Sequence, residues 1–292
     1  EAGSPIEDLG GETEIEPEPP FLAEPLLREE NTLLYGMGGT GKSLLSLALA
    51  ASLADGADYL GLGAIYPAKV MYIDYEDDAN TQRSRLESLR TSWGLPERPH
   101  VLYKHAEASM ATMGDSLARQ IAQNHIDYLI IDSAAMACGA DPEKADSATA
   151  FFRSLRSLGV RGTLTIGHMT KGNEKFPFGS VFWWNGPRSI WYAKNTREDA
   201  QTALHLGLFH RKANNGIIQP PVGLHIRFDQ GGVTFRPEKV SEIAEFRSEL
   251  STWSKIRALI AEARRGLSLQ ELQDAIKDID ATVKPDTVRT TV

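Results

Sequence analysis

The chain has 292 residues, 41% of them hydrophobic and 24% charged, with a formal net charge of −8. That composition is expected of a soluble globular protein holding one large α/β domain and a smaller unit. Its one cysteine, Cys138, excludes a disulfide framework and a Cys-rich zinc site and fits a reducing cytosol.

The charge is unevenly spread: residues 1–30 carry −9, residues 31–150 carry −6 and residues 151–292 carry +7. An acidic total therefore excludes little, because the second half of the chain is basic. Residues 1–25 hold five of the 15 prolines and read as an acidic linker or strap. The sequence starts at Glu1 rather than Met and stops inside a helical stretch, as expected of a piece of a longer protein. No secretory signal is evident. The longest nearly apolar stretch, Leu44 to Ala54, is about two-thirds of the shortest membrane span and reads as a buried helix, so no membrane partner is expected.

From Asn31 short apolar runs alternate with helical patterns. Strands are predicted at Thr32–Tyr35, Val70–Tyr75, Tyr128–Ile131 and Leu164–Ile166, and helices at Ser43–Leu53, Ala79–Trp93, Ser116–Asn124 and Lys144–Leu158. Such alternation predicts an α/β fold with a mostly parallel sheet. Ala203–Phe209, Leu224–Phe228 and Val233–Phe235 read as antiparallel strands, with Asp229-Gln230-Gly231-Gly232 as a hairpin turn. The divisions expected are a strap over residues 1–25, a core over 26–239, a linker helix over 240–253 and a separate helical unit over 254–292.

Gly36-Met37-Gly38-Gly39-Thr40-Gly41-Lys42-Ser43 fits G-x-x-x-x-G-K-[ST] between a strand and a helix. Glycines let successive amides wrap an anion, and the helix start adds its positive end. The loop and the start of the helix, Gly36 to Leu44, would hold a nucleoside triphosphate, with Lys42 on the β- and γ-phosphates and Ser43 on Mg²⁺. Asp132 ends the apolar run Tyr128–Ile131 and is expected at the end of the strand beside this loop, where it would share the Mg²⁺. Val70-Met71-Tyr72-Ile73-Asp74-Tyr75-Glu76-Asp77-Asp78 ends the next strand in carboxylates. Glu76 is placed to act as general base toward water, whereas Asp77 and Asp78 read as the start of a helix.

These three segments together resemble the RecA-like ATPases, most closely the RepA-like hexameric helicases of plasmids and phages (the AAA_25 type), relatives of DnaB. The resemblance covers roughly residues 20–236 and implies a RecA-like P-loop core, ATP with Mg²⁺, a cytoplasmic setting and single-stranded DNA as partner. It also implies a homo-oligomer, a hexamer in the family, with ATP sites at the subunit interfaces. Gly167-His168-Met169-Thr170-Lys171 resembles the family's sensor segment, which makes His168 the residue that would face the γ-phosphate. Phe178 to Trp191 resembles the block Gly-Ser…Asn-x-x-Arg-x-x-Trp, and His210 to Gly216 resembles the Lys-x-Arg-Asn-Gly segment that reaches the neighbouring subunit's site. Lys212 is then the candidate trans-acting cation; Asn214 stands at the family's arginine position, so Arg211 and Arg188 are the alternatives.

Lys171 and Lys175, interleaved with Phe176 and Phe178, suit a strand-binding loop in which phosphates are neutralised and bases stack. Trp183 and Trp184 are expected to pack instead. Ala134–Ser147 would be the second loop lining the channel.

Ser254–Ala263, Ser268–Lys277 and Lys284–Val292 read as three helices, with a capping box at Ser268-Leu269-Gln270-Glu271. The spacing fits either a helix-turn-helix or winged-helix unit touching duplex DNA through Thr287, Arg289, Thr290 and Thr291, or a three-helix protein-docking module. The leading functional expectation is an ATP-driven DNA helicase motor. The alternatives are a RecA-like ATPase that remodels DNA or protein without unwinding, and an ATP-gated DNA-binding regulator.

Overall fold

The computed structural model describes residues 18–169, 175–197, 202–263 and 265–291. The chain opens with a small hairpin, β1 (Phe21–Ala23) against β2 (Leu27–Arg28). Nine further strands form one sheet: β3 (Asn31–Gly36), β4 (Val70–Asp74), β5 (Leu102–His105), β6 (Tyr128–Asp132), β7 (Gly162–His168), β8 (Ser189–Arg197), β9 (Ala203–Ala213), β10 (Val222–Asp229) and β11 (Gly232–Glu238). Their order is β11-β10-β9-β8-β3-β7-β6-β4-β5. From β8 to β5 every neighbouring pair is parallel; β8, β9, β10 and β11 pair antiparallel. The α/β class and the mostly parallel sheet are as the sequence predicts.

Alternation within the strands explains the layers. Val70, Tyr72, Tyr128 and Ile130 turn to one face with Leu45, Leu49 and Leu53 of α1 (Lys42–Asp55) and Leu89 of α2 (Ala79–Trp93). Met71, Ile73, Leu129 and Ile131 turn to the other face. There they meet Leu117 and Ile121 of α3 (Met110–Asn124), and Phe151 and Leu155 of α5 (Ala145–Arg156), which follows the four-residue helix α4 (Ala134–Ala137). Strands apolar on both sides are what a sheet covered by crossover helices requires. The expected turn forms: Asp229 pairs with Gly232, and Gly231 takes a φ of 96° in between.

Three expectations change. The division at residues 25 and 26 falls inside the first hairpin, whose Leu22, Ala23, Leu26 and Leu27 lie in the main core; Arg28 sits over the Phe21 ring at 3.9 Å. The expected linker helix over 240–253 is instead two 3₁₀ turns, Val240–Glu242 and Ala244–Glu249. They drive Phe246 and Leu250 into a third core cluster with Tyr35, Tyr192 and Phe209. Finally, β5, β8 and a one-turn helix α6 (Phe182–Asn185) form where no regular element was expected.

The C-terminal unit has the three expected helices, α7 (Thr252–Ala263), α8 (Leu269–Ile279) and α9 (Pro285–Thr291), and the Ser268–Glu271 capping box is present. Its core is small, made by Ile256, Leu272, Ile276 and Val288. The buried Lys255 ammonium meets Asp280 at 2.6 Å, and this hydrogen bond holds the Asp280 carboxyl down from 3.8 to about 2. A depressed carboxyl stabilises the fold above its unfolded value and loses that contribution as the pH falls toward its folded value. Acid titration of this unit is therefore expected to weaken it between pH 4 and about 2. Asp280→Asn removes the charge but leaves the ammonium an amide oxygen to donate to, and should cost about 2 kcal/mol in urea unfolding. A change under about 1 kcal/mol would show that the pair contributes nothing. Among the described residues no helix is long and apolar enough to cross a membrane.

Candidate active site

All the candidate acids lie at the carboxyl ends of parallel strands, the edge of an open α/β sheet where ligands bind. The glycine-rich loop leaves β3 there. Gly36 cannot carry a side chain, because a Cβ would lie 2.3 Å from the Ala193 carbonyl oxygen of β8. Gly39 and Gly41 have φ of 73° and 97°, and a Cβ on either would meet nothing within 4 Å, so the loop presents open backbone. Asn195 Nδ2, 3.2 Å away, and Arg197 Nη2 at 3.5 Å donate to the Gly39 carbonyl, tying the loop to β8. Neither residue was anticipated from the sequence, because β8 itself was not.

Lys42 begins α1, is 5% exposed, and donates to the carbonyls of Gly36 at 3.0 Å and Met37 at 2.7 Å. Burial lowers its pKa to about 8, against the opposing pull of Asp132 and Glu76. Ser43 follows, and its hydroxyl lies on the Asp132 side of the loop, where it lowers that carboxyl's pKa. Asp132 is buried and accepts from Tyr72 Oη at 2.8 Å; desolvation raises its pKa despite these two hydroxyls. A dehydrated carboxylate beside a hydroxyl is a hard oxygen donor pair suited to a divalent cation that a nucleotide helps to hold. The geometry thus fits both phosphate groups on the loop and Mg²⁺ at Ser43 and Asp132. One expectation needs correcting: β6, which carries Asp132, is not beside the loop strand, because β7 lies between them.

That intervening strand brings His168. Its Nε2 lies 3.2 Å from Glu76 Oε1, and Ser133 Oγ donates to the same oxygen. Hydrogen bonds from His168 and Ser133, aided by the charge of Lys42 and opposed by burial, hold the Glu76 carboxyl down to about 2. Glu76 is thus a carboxylate at any neutral pH. Asp74, inside β4, has a supporting role. Its Oδ1 accepts the backbone N–H groups of Glu76 (3.0 Å) and Asp77 (2.9 Å), and its Oδ2 accepts from Gln82 Nε2 at 2.7 Å. Asp78 caps α2 by accepting from the Thr81 N–H, and Asp77 pairs with Arg85 at 2.7 Å, as expected of acids at a helix start.

The three candidate trans-acting cations differ in engagement. Lys212 Nζ donates to the carbonyls of Trp184, Asn185 and Pro187 at 2.8, 3.2 and 2.7 Å, which uses all its protons to tie off α6. Arg211 is bound to Glu249 and lies against the rings of Tyr192 and Phe209. Arg188 is exposed, with no ion pair among the described residues. All three sit toward the amino end of β3 in register, away from their own chain's loop: Ile190 pairs with both Leu33 and Lys212.

Lys171 lies outside the described residues. Lys175 is exposed, and its carbonyl accepts from Tyr35 Oη at 3.0 Å. Phe176 is 49% exposed and packs edge-on against Trp184. Trp183 is buried against Phe151 and Phe152, as expected of a packing residue. Its Nε1 donates to the Pro142 carbonyl, so the two loops expected to line a channel are joined at Pro142.

The sequence profile of the AAA domain family (AAA_25) matches residues 5–174, more than half the chain. This chain belongs to that family. The match ends just past His168, so it spans the glycine-rich loop, Glu76, Asp132 and β7 and leaves the antiparallel extension and the helical unit outside. Among solved structures, a KaiC-like protein from the hyperthermophilic archaeon Pyrococcus horikoshii is similar at 14% identity. The likeness covers 73% of this chain and 91% of that one, with a TM-score of 0.49. With its glycine-rich loop and AAA domain, the chain is a P-loop ATPase.

Proposed function

We propose that this ATPase is the motor of a ring-forming DNA helicase of the plasmid and phage type, translocating on single-stranded DNA. The observation that carries the reading is the double duty of β7 and the segment after it. His168 at the strand end contacts the base Glu76, and the chain returns through Lys175 and Phe176, a cation and an aromatic ring at the surface. A change at His168 is thereby transmitted within a few residues to groups suited to phosphate and base stacking.

In the hydrolytic step Glu76 takes a proton from water as it attacks the γ-phosphate, and the loop amides with Lys42 hold the phosphate chain in place. Mg²⁺, held by Ser43 and Asp132, would neutralise the developing charge. His168 reports the γ-phosphate, and a cation from the adjacent subunit completes the site. Its exposure favours Arg188 for that role; Lys212 and Arg211 already have partners in their own chain. The C-terminal unit would touch duplex DNA or a partner protein.

Strand displacement on a forked substrate, dependent on ATP and lost in Lys42→Met, supports the reading. Hydrolysis stimulated by DNA without displacement would favour a remodelling ATPase, and negligible hydrolysis a gated DNA-binding regulator. For the interface, Arg188→Ala chains and Lys42→Met chains should each be inactive, yet regain part of the wild-type ATPase rate when mixed, because some interfaces then combine an intact loop with an intact arginine. Wild-type turnover by Arg188→Ala alone would remove that assignment.

A further inference from the structure

The position next to Asp132 carries a side chain that the proposed mechanism leaves without a role. Ser133 is fully buried and precedes α4 as its N-cap residue, with extended backbone at φ −125° and ψ 168°. A serine there ordinarily turns its hydroxyl to the helix's own amides, a contact worth about 1 kcal/mol. Here it makes no such cap and donates to Glu76 Oε1 instead.

Sheet register makes the contact possible. Asp74 of β4 pairs with Asp132 of β6, and the Tyr75 N–H continues the ladder to the Asp132 carbonyl at 2.7 Å. Glu76 and Ser133 therefore leave two hydrogen-bonded strand ends side by side. His168 approaches from β7 on the other side of β6 and meets the same carboxylate oxygen, its Nε2 3.2 Å from Oε1. Among the described residues, every hydrogen bond to the Glu76 carboxylate falls on Oε1 and none on Oε2.

We infer that Ser133 is a positioning residue for hydrolysis: with His168 it fixes Oε1 of Glu76 so that Oε2 is the oxygen presented to the attacking water. This rests on the reading of Glu76 as general base. A carboxylate pinned by one oxygen has lost rotation about its terminal bond, and that orientation is what a base needs before the proton moves. Ser133 touches neither phosphate nor water in this scheme and acts only through Glu76.

The test compares Ser133→Ala, Glu76→Gln and the double variant by single-turnover ATP hydrolysis, with affinity for ATP and Mg²⁺ measured in each. Ser133→Ala is expected to lower the hydrolysis rate about ten- to a hundred-fold, the scale of one hydrogen bond to a charged group. Affinity for ATP should stay within about twofold, since the hydroxyl makes no contact that binding uses. In the Glu76→Gln background the same substitution should add little, because two residues acting as a unit are not additive. A merely structural serine would instead weaken ATP binding, or lower the rate by the same factor in both backgrounds, and either result overturns the inference. Wild-type rates in Ser133→Ala beside an inactive Glu76→Gln overturn it while leaving the base in place; wild-type rates in Glu76→Gln remove the base itself.

Discussion

Lys42→Met is expected to lower ATP turnover about a thousandfold or more, the scale of removing a preorganised charge from the phosphate that is being transferred. The ammonium is almost fully buried, has the Gly36 and Met37 carbonyls as its hydrogen-bond partners among the described residues, and is held by them where the loop turns into α1. Methionine keeps the apolar stem and removes the charge. The same variant should not unfold the protein. With its pKa lowered from 10.5 to about 8, Lys42 binds its proton less tightly in the folded chain than in the unfolded one. Stability then rises with pH between about 8 and 10.5, and at neutral pH the charge is a cost that methionine removes. Thermal melting without nucleotide should show an unchanged or higher Tm. A lowered Tm together with lost turnover would make Lys42 a structural residue.

Glu76→Gln should separate binding from chemistry. The amide has the carboxylate's shape and can still accept from Ser133 and His168, so β4 and its neighbours need not move. It cannot take a proton. Turnover is expected to fall about 10²- to 10⁴-fold, the usual contribution of a positioned base, while affinity for ATP is kept or improved by the loss of a negative charge near the phosphates. Fluorescent nucleotide titration and steady-state hydrolysis on one preparation decide this. Wild-type turnover would sink the assignment, and lost binding would mean that Glu76 holds nucleotide rather than activating water.

What could be read from the sequence depended on distance along the chain. The loop from Gly36 to Ser43 is contiguous and needs its residue types at fixed spacing, so it was legible at once. The strands ending in Asp74 and Asp132 were legible because they are apolar on both faces. β8 escaped: only its first half is buried, and Lys194, Asn195, Thr196 and Arg197 carry it out toward the glycine-rich loop. The hairpin at Phe21–Arg28 was hidden under acidic and proline-rich neighbours that suit a strap. Contacts that cross the sheet could not be read from one dimension. Ser133 was visible in Ile-Ile-Asp-Ser, but its donation to Glu76 depends on β4 and β6 being adjacent. In the same way Lys212 was recognisable as a cation, whereas its capture by three carbonyls around α6 follows only from the fold.

The acidic total charge also has a location now. Residues 31–292 sum to +1, and the surplus of acid belongs to the first 30 residues. A motor that grips one strand with a few lysines, rather than coating duplex, is compatible with that balance.

The most direct measurement is the ATPase rate of the chain with Mg²⁺, with and without a single-stranded oligonucleotide, taken together with molecular mass in the same samples. A motor of the proposed kind hydrolyses ATP about tenfold or more faster on the strand, within the range of a two-state coupling, and does so as a closed multimer. A monomer whose hydrolysis is negligible, or indifferent to the strand, would contradict the account.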